Sequence, residues 1–147
     1  VNGGPQFTYI SLDDFRIVFG ALTGNANYTL KDRKNIPYTT FLTPPLARVG
    51  LTEEEAINKG YTVKTKEMLV ATMPRAHVND YLKGAFKIVV DVESNLILGA
   101  TLYSQSAEEL INLIKIAMDN NIPYTYFKNQ IFTHPTMAEN LNDLCNF

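Results

Sequence analysis

Tryptophan is absent, and the residues that most often carry chemistry are scarce: one cysteine, Cys145, and two histidines, His77 and His134, in 147 residues. A lone cysteine excludes an internal disulfide and suits a reducing compartment, so a cytoplasmic location is expected. No cysteine pair or cysteine–histidine cluster has zinc spacing, and no metal site is expected. No apolar run approaches the ~18 residues a membrane span needs. The amino end has no basic stretch followed by an apolar one, so no signal peptide is read there. The formal net charge is −2 and the pI is near 5.6, with no basic stripe, which argues against a nucleic-acid partner. G-x-G-x-x-G, P-loop and G-x-S-x-G patterns are missing, which removes the usual nucleotide and hydrolase signatures. Internal repeats, heptads and low-complexity segments are missing too. The chain opens Val1-Asn2-Gly3-Gly4-Pro5 without an initiator methionine and reads as a cut within a longer protein.

What is present is a globular balance: 46% hydrophobic and 19% charged residues, enough for one domain, or one domain plus an arm. In the arm, Ser11 is a candidate N-cap with Asp14 three residues on. Phe15, Val18, Phe19 and Leu22 follow at helical spacing, and Gly24 can end the helix. Polar residues 25–36, with Lys31, Asp32, Arg33 and Lys34 together, read as a connector, so a boundary is placed between 1–36 and 37–147.

Beyond Pro37, strands are expected at 38–43, 61–72, 84–92 and 96–103. The last two alternate apolar and polar positions across the turn Glu93-Ser94-Asn95 and form a hairpin. Three S/T-x-x-E boxes predict helix starts at Thr52–Glu55, Ser106–Glu109 and Thr136–Glu139. The acidic run Glu53-Glu54-Glu55 is accounted for by the positive end of a helix dipole. The helix over 106–120 carries a stripe of Leu110, Leu113, Ile114, Ala117 and Met118, and Ile111 and Ile116 widen it beyond one face. A second partner, such as another subunit, is therefore expected. The fold class predicted is α+β, an antiparallel sheet with these three helices packed against it.

The chemistry concentrates at Thr133-His134-Pro135-Thr136-Met137-Ala138-Glu139. Pro135 disfavours the helical region for His134, which places the histidine in a turn ahead of a helix. From Met137, Leu141, Leu144 and Cys145 fall on one helix face. The Glu139 carboxylate can reach back to one imidazole nitrogen and fix the tautomer. The cap competes for the same carboxylate, and the sequence leaves the outcome open. A capped terminal helix with a structural histidine is the other reading of the same residues. His77 reads as solvated or structurally bonded, and Cys145 as a small buried hydrophobe. A histidine–glutamate pair without nucleophile, metal or cofactor is an incomplete active site.

His134-Pro135-Thr136-Met137-Ala138-Glu139 resembles the HPT-x-x-E motif of the class I pyridine nucleotide-disulfide oxidoreductases, the family of glutathione reductase, dihydrolipoamide dehydrogenase and mercuric reductase. Residues 41–56, with Phe41-Leu42-Thr43-Pro44-Pro45 and Val49-Gly50-Leu51-Thr52-Glu53, resemble the opening of that family's dimerisation domain. Ala85-Phe86-Lys87 with Ile97-Leu98-Gly99 resembles its hairpin, and Ala107-Glu108-Glu109-Leu110-Ile111 its interface helix. The resemblance covers 37–147 and is strongest to a bacterial branch near mercuric reductases. It departs at Phe132, where many members carry a second histidine, and in having only Cys145 where mercuric reductases end in a cysteine pair. Residues 1–36 resemble the end of the family's FAD-binding domain, and Phe7 and Thr8 match positions whose backbone approaches the flavin.

The resemblance implies a homodimer in which His134, oriented by Glu139, acts as acid and base on the partner subunit's dithiol. It implies upstream domains that bind FAD and NAD(P)H, a disulfide or other small redox substrate, and a role in redox homeostasis. The chain by itself is then expected to be inactive and to hold neither cofactor. The alternative is a non-catalytic homodimeric interaction module with a structural histidine turn.

Overall fold

The computed structural model describes residues 3–147. The chain divides into two compact units, 1–34 and 35–147. In the first, helix α1 spans Thr8–Leu22 and starts earlier than the Ser11 cap predicts; its N-cap is Phe7, with no side-chain cap bond. Asp14 does not serve a cap at Ser11. Asp13 and Asp14 instead both hold Arg33, Asp13 at 2.5 Å from Nε, so the basic cluster is tied back to α1. The apolar side of α1 is left open: Phe15, Val18, Phe19 and Leu22 are all exposed, Leu22 at 82%.

The second unit is built on five antiparallel strands: β1 (Tyr38–Thr40), β2 (Leu46–Gly50), β3 (Val63–Leu69), β4 (Ala85–Asp91) and β5 (Ile97–Tyr103). Their order across the sheet is β1-β2-β5-β4-β3. The expected hairpin forms as β4–β5, with Phe86 opposite Leu102 and Ile88 opposite Ala100. Its turn is held by Asp91, whose carboxylate accepts from the Ser94 amide at 3.0 Å and from the Ser94 hydroxyl at 2.5 Å. The sequence reading missed β2, an interior strand between β1 and β5. Gly50 and Gly99 face each other there. Gly50 has φ +70°, and a Cβ on Gly99 would stand 2.1 Å from the Leu51 carbonyl oxygen, so neither position accepts a side chain. The predicted strand over 61–72 ends at Leu69 and passes into a 3-10 turn, Val70–Thr72.

Alternation along the strands sorts the two faces. Val49, Phe86, Ile88, Val90 and Leu102 form one buried face. Onto it pack Leu110, Ile111, Ile114 and Ala117 of helix α4 (Ala107–Asp119) and Leu141 and Leu144 of α6 (Asn140–Leu144). The predicted stripe of α4 is rotated: Ile111 is core, whereas Leu113 and Ile116 are exposed at 38% and 54%. Helix α2 (Glu53–Asn58) lies on the opposite face. Lys87 points away from Phe86 and Ile88 and pairs with Glu53 at 2.9 Å. Short helices α3 (Pro74–Val78) and α5 (Tyr124–Asn129) fill stretches that the sequence reading left irregular.

Of the three predicted capping boxes, the one at Thr52 caps a helix: the Glu55 amide donates to Thr52 Oγ1 at 3.1 Å and the Thr52 amide to Glu55 Oε2 at 2.7 Å. The box at Ser106 does not form. Ser106 is left-handed at φ 64°, and its hydroxyl makes no cap bond. An N-cap hydroxyl reaches the N3 amide only from an extended backbone.

Candidate functional site

The third box, at Thr136, forms but closes a turn rather than opening a helix. Thr136 Oγ1 accepts from the Glu139 amide at 3.2 Å, and Glu139 Oε1 from the Thr136 amide at 3.1 Å. The α-helix begins only at Asn140. The predicted single helix from Thr136 is thus replaced by a tight turn and a five-residue helix. Met137, Leu141, Leu144 and Cys145 nevertheless share the buried side, as their spacing requires. They fasten the turn to the core.

The competition for Glu139 resolves without a loser, because a carboxylate has two oxygens. While Oε1 closes the turn, Oε2 lies 2.7 Å from His134 Nδ1. Burial pushes the Glu139 carboxyl up, but the His134 hydrogen bond, the Thr136 amide and the imidazole charge outweigh it and hold it below the ordinary value of 4.5. Glu139 is therefore ionised at neutral pH and accepts only. In the neutral form of the ring, the proton donated to Glu139 is the one on Nδ1, which leaves Nε2 as the acceptor. The ring is 68% exposed while Glu139 is only 18% exposed. A shielded carboxylate thus orients an imidazole whose other nitrogen faces outward, the arrangement a general acid–base needs.

Two asparagines of α6 frame this turn. Asn140, 3% exposed, donates from Nδ2 to the carbonyls of Thr136 at 3.2 Å and Met137 at 3.1 Å. Asn142 Nδ2 donates to Phe127 O at 2.6 Å and Gln130 O at 2.9 Å. Asparagine in a short helical run carries no distinct signal of its own, and the sequence assigns neither residue a role.

His77 is structural: its Nε2 lies 2.8 Å from the Ala71 carbonyl oxygen. Cys145 is buried, and burial pushes its thiol from 9.0 up to about 12, so it is no nucleophile for His134. Among the described residues no three His, Cys, Asp or Glu groups converge on a metal position, and no helix is long and apolar enough to cross a membrane. Phe7 and Thr8 belong to the other unit. Phe7 stacks on Tyr9 at 5.1 Å between ring centres. With Thr8, Gly4 and Pro5 it lines an open groove of about 540 Å³ at the start of α1.

Residues 36–145 match the family described as "Pyridine nucleotide-disulphide oxidoreductase, dimerisation domain". Over 98% of its length the chain is 49% identical to a probable pyridine nucleotide-disulfide oxidoreductase, RclA, of Escherichia coli K12, and it covers 33% of that protein. The solved structure of the HOCl-induced flavoprotein disulfide reductase RclA from Escherichia coli superimposes with a TM-score of 0.94 over 97% of this chain, at 48% identity. A mercuric reductase of Lysinibacillus sphaericus is 36% identical over 96% of this chain, which covers 26% of it. The chain thus spans about a third or less of these relatives' lengths. The α+β antiparallel fold, the length of the matched stretch and the identities agree: the chain belongs to the pyridine nucleotide-disulphide oxidoreductase family, with residues 36–145 as its dimerisation domain.

Proposed function

We propose that this chain is the part of a flavin-dependent disulfide oxidoreductase that forms the homodimer and supplies an acid–base histidine to the partner subunit's dithiol site. One observation carries the reading: an exposed His134 whose Nδ1 is held at 2.7 Å by the shielded, ionised Glu139. The pair has nothing to act on in its own chain, because Cys145 is buried and protonated. Its substrate is then a thiol from outside. His134 Nε2 takes the proton of the attacking thiol, which becomes the thiolate that opens a disulfide. The resulting imidazolium returns the proton to the departing sulfur. Glu139 stabilises the imidazolium and keeps the ring aimed.

Residues 1–36 are read as the end of an FAD-binding domain, and the open apolar side of α1 supports this. Phe7 and Thr8 would touch the flavin edge with their backbone, and the domains that hold FAD and NAD(P)H would lie in the rest of the parent protein. A flavin bound there would supply the redox chemistry that keeps the partner's dithiol reduced. The exposed Leu113 and Ile116 of α4 support self-association through that helix. The reaction suits a reducing compartment such as the cytoplasm, where dithiols turn over.

A mixed dimer of the full-length parent tests the shared site. One subunit carries His134→Ala and the other lacks the redox cysteine pair. If His134 serves the partner, one of the two sites is intact and about half the disulfide turnover returns. A mixed dimer as dead as its two parents would show that each subunit is self-contained, and the reading would be abandoned.

A further inference from the structure

His134 projects into solvent on a stretch that has little regular structure of its own between α5 and α6, residues 130–139. A general acid–base must nevertheless be held to well under an ångström of its productive position, since misplacement by ~1 Å can cost ~10²-fold in rate. The HPT-x-x-E box fixes the ring against Glu139, and buried Met137 seats the box on the core. Two amides tie down the chain on either side of the ring. Asn142 reaches across to the carboxyl end of α5, where Phe127 and Gln130 present carbonyls, and so pins the chain just before it runs out to His134. Asn140 reaches back to Thr136 and Met137 and pins the chain just after it returns. Both side chains leave one turn of α6, next to Glu139. Entry, ring and exit are thereby tied to three near-consecutive residues, and α6 is itself seated on the sheet through Leu141 and Leu144.

We propose, on the acid–base reading of His134, that Asn140 and Asn142 are positioning residues: their amide donors set where the His134 ring stands. Each amide hydrogen answers a carbonyl, so a donor is what matters and shape alone is insufficient. Asn→Asp keeps the shape but turns the donor into a charged acceptor facing carbonyl oxygens, which repels them.

The test uses the full-length parent enzyme and a double-mutant cycle. Disulfide turnover is measured for Asn142→Asp, Asn140→Asp and His134→Ala, and for each asparagine change combined with His134→Ala. Flavin reduction by NAD(P)H is followed in every variant as the check of folding. Each asparagine variant is expected to lose about tenfold in kcat with KM and flavin reduction nearly unchanged. In the His134→Ala background the same change should cost less than twofold, because a group acting through His134 has nothing left to position. Lys66→Ala is the control. It releases the far end of α6, whose Asp143 and Asn146 carbonyls Lys66 Nζ binds at 2.7 and 2.6 Å, without touching 130–137, and should leave kcat within twofold. Should the buried Asn140 variant fail to fold, the half-buried Asn142 variant decides. Undiminished turnover in Asn142→Asp, or an equal loss with and without His134, overturns the proposal. A normal rate for His134→Ala overturns the acid–base reading itself, and the positioning role with it.

Discussion

Two turns of this chain share the pattern T-x-x-E and use their glutamate differently. At Thr52–Glu55 the carboxylate closes a helix start and otherwise faces water and Arg48, 4.0 Å away. At Thr136–Glu139 one oxygen makes the same closure while the other holds a histidine. The reciprocal bonds between threonine and glutamate are common to both. What differs is the neighbour two residues upstream: Gly50 ahead of Thr52, His134 ahead of Thr136. Exposure differs as well. Glu55 is 57% exposed and Glu139 is 18% exposed, so only the second carboxylate acts through a short hydrogen bond shielded from competing water. The motif therefore specifies a turn, and its chemistry comes from what the turn is given to hold.

That contrast can be broken most visibly at the ring. His134→Ala in the full-length parent should lower disulfide turnover by ~10²–10⁴, the worth of a placed acid–base group, with flavin reduction by NAD(P)H near normal. Stopped-flow measurement of the two half-reactions separates them, and equal losses in both would count against the assignment. Next in size, Glu139→Gln should cost about tenfold in the same half-reaction, since the amide cannot stabilise the imidazolium. Glu55→Gln should leave the rate unchanged. If both glutamines slowed turnover alike, the distinction between the two turns would be lost.

Stability should show the reverse order of interest. Thr52→Ala removes a formed cap and should cost about 1 kcal/mol in denaturant unfolding. Ser106→Ala removes a hydroxyl that caps nothing and should stay within ~0.5 kcal/mol. A larger loss at Ser106 would mean that its box forms in solution. Acid titration gives a smaller effect. The Glu55 carboxyl is held low by the Thr52 amide and hydroxyl, and Glu139 by His134 and the Thr136 amide against the effect of burial. A depressed carboxyl contributes stability that is present above its ordinary value of 4.5 and lost as pH falls through the folded value. Either glutamine variant should therefore flatten the fall of the unfolding midpoint below about pH 4.5, whereas an unchanged slope would show that the depression is absent. Least of all should happen at Cys145. With its thiol pushed up to about 12, labelling by iodoacetamide at pH 8 should be negligible until the protein unfolds.

Much of the fold is legible in the residues. The β4–β5 hairpin is written in alternation on both sides of a turn, broken by the irregularity at Val89/Val90 that brings Ile97 inward, and α2 is written in its cap. The missing pieces share a cause. β2 is five residues long, directly after two prolines, and its Ala47 and Val49 become recognisable as inward positions only beside β5. α5 is six residues rich in aromatics that propensity alone would assign to a strand. The rotation of α4, which buries Ile111 and exposes Leu113, depends on where the sheet lies, and a stripe wider than one face has no unique rotation of its own.

By itself the sequence determined what local chemistry can determine: the turn at His134, the reach of Glu139 to both the turn and the ring, the hairpin and the helix-forming stretches. Each involves groups near one another along the chain, from the five residues between His134 and Glu139 to two strands joined by one short turn. Only the tertiary structure decided that Glu139 serves both partners at once, that Cys145 is withdrawn from chemistry, and that Asn140 and Asn142 tie the turn to α5 and α6. Those outcomes depend on burial and on carbonyls brought up from elsewhere in the chain. No spacing along the chain encodes which groups water will be excluded from.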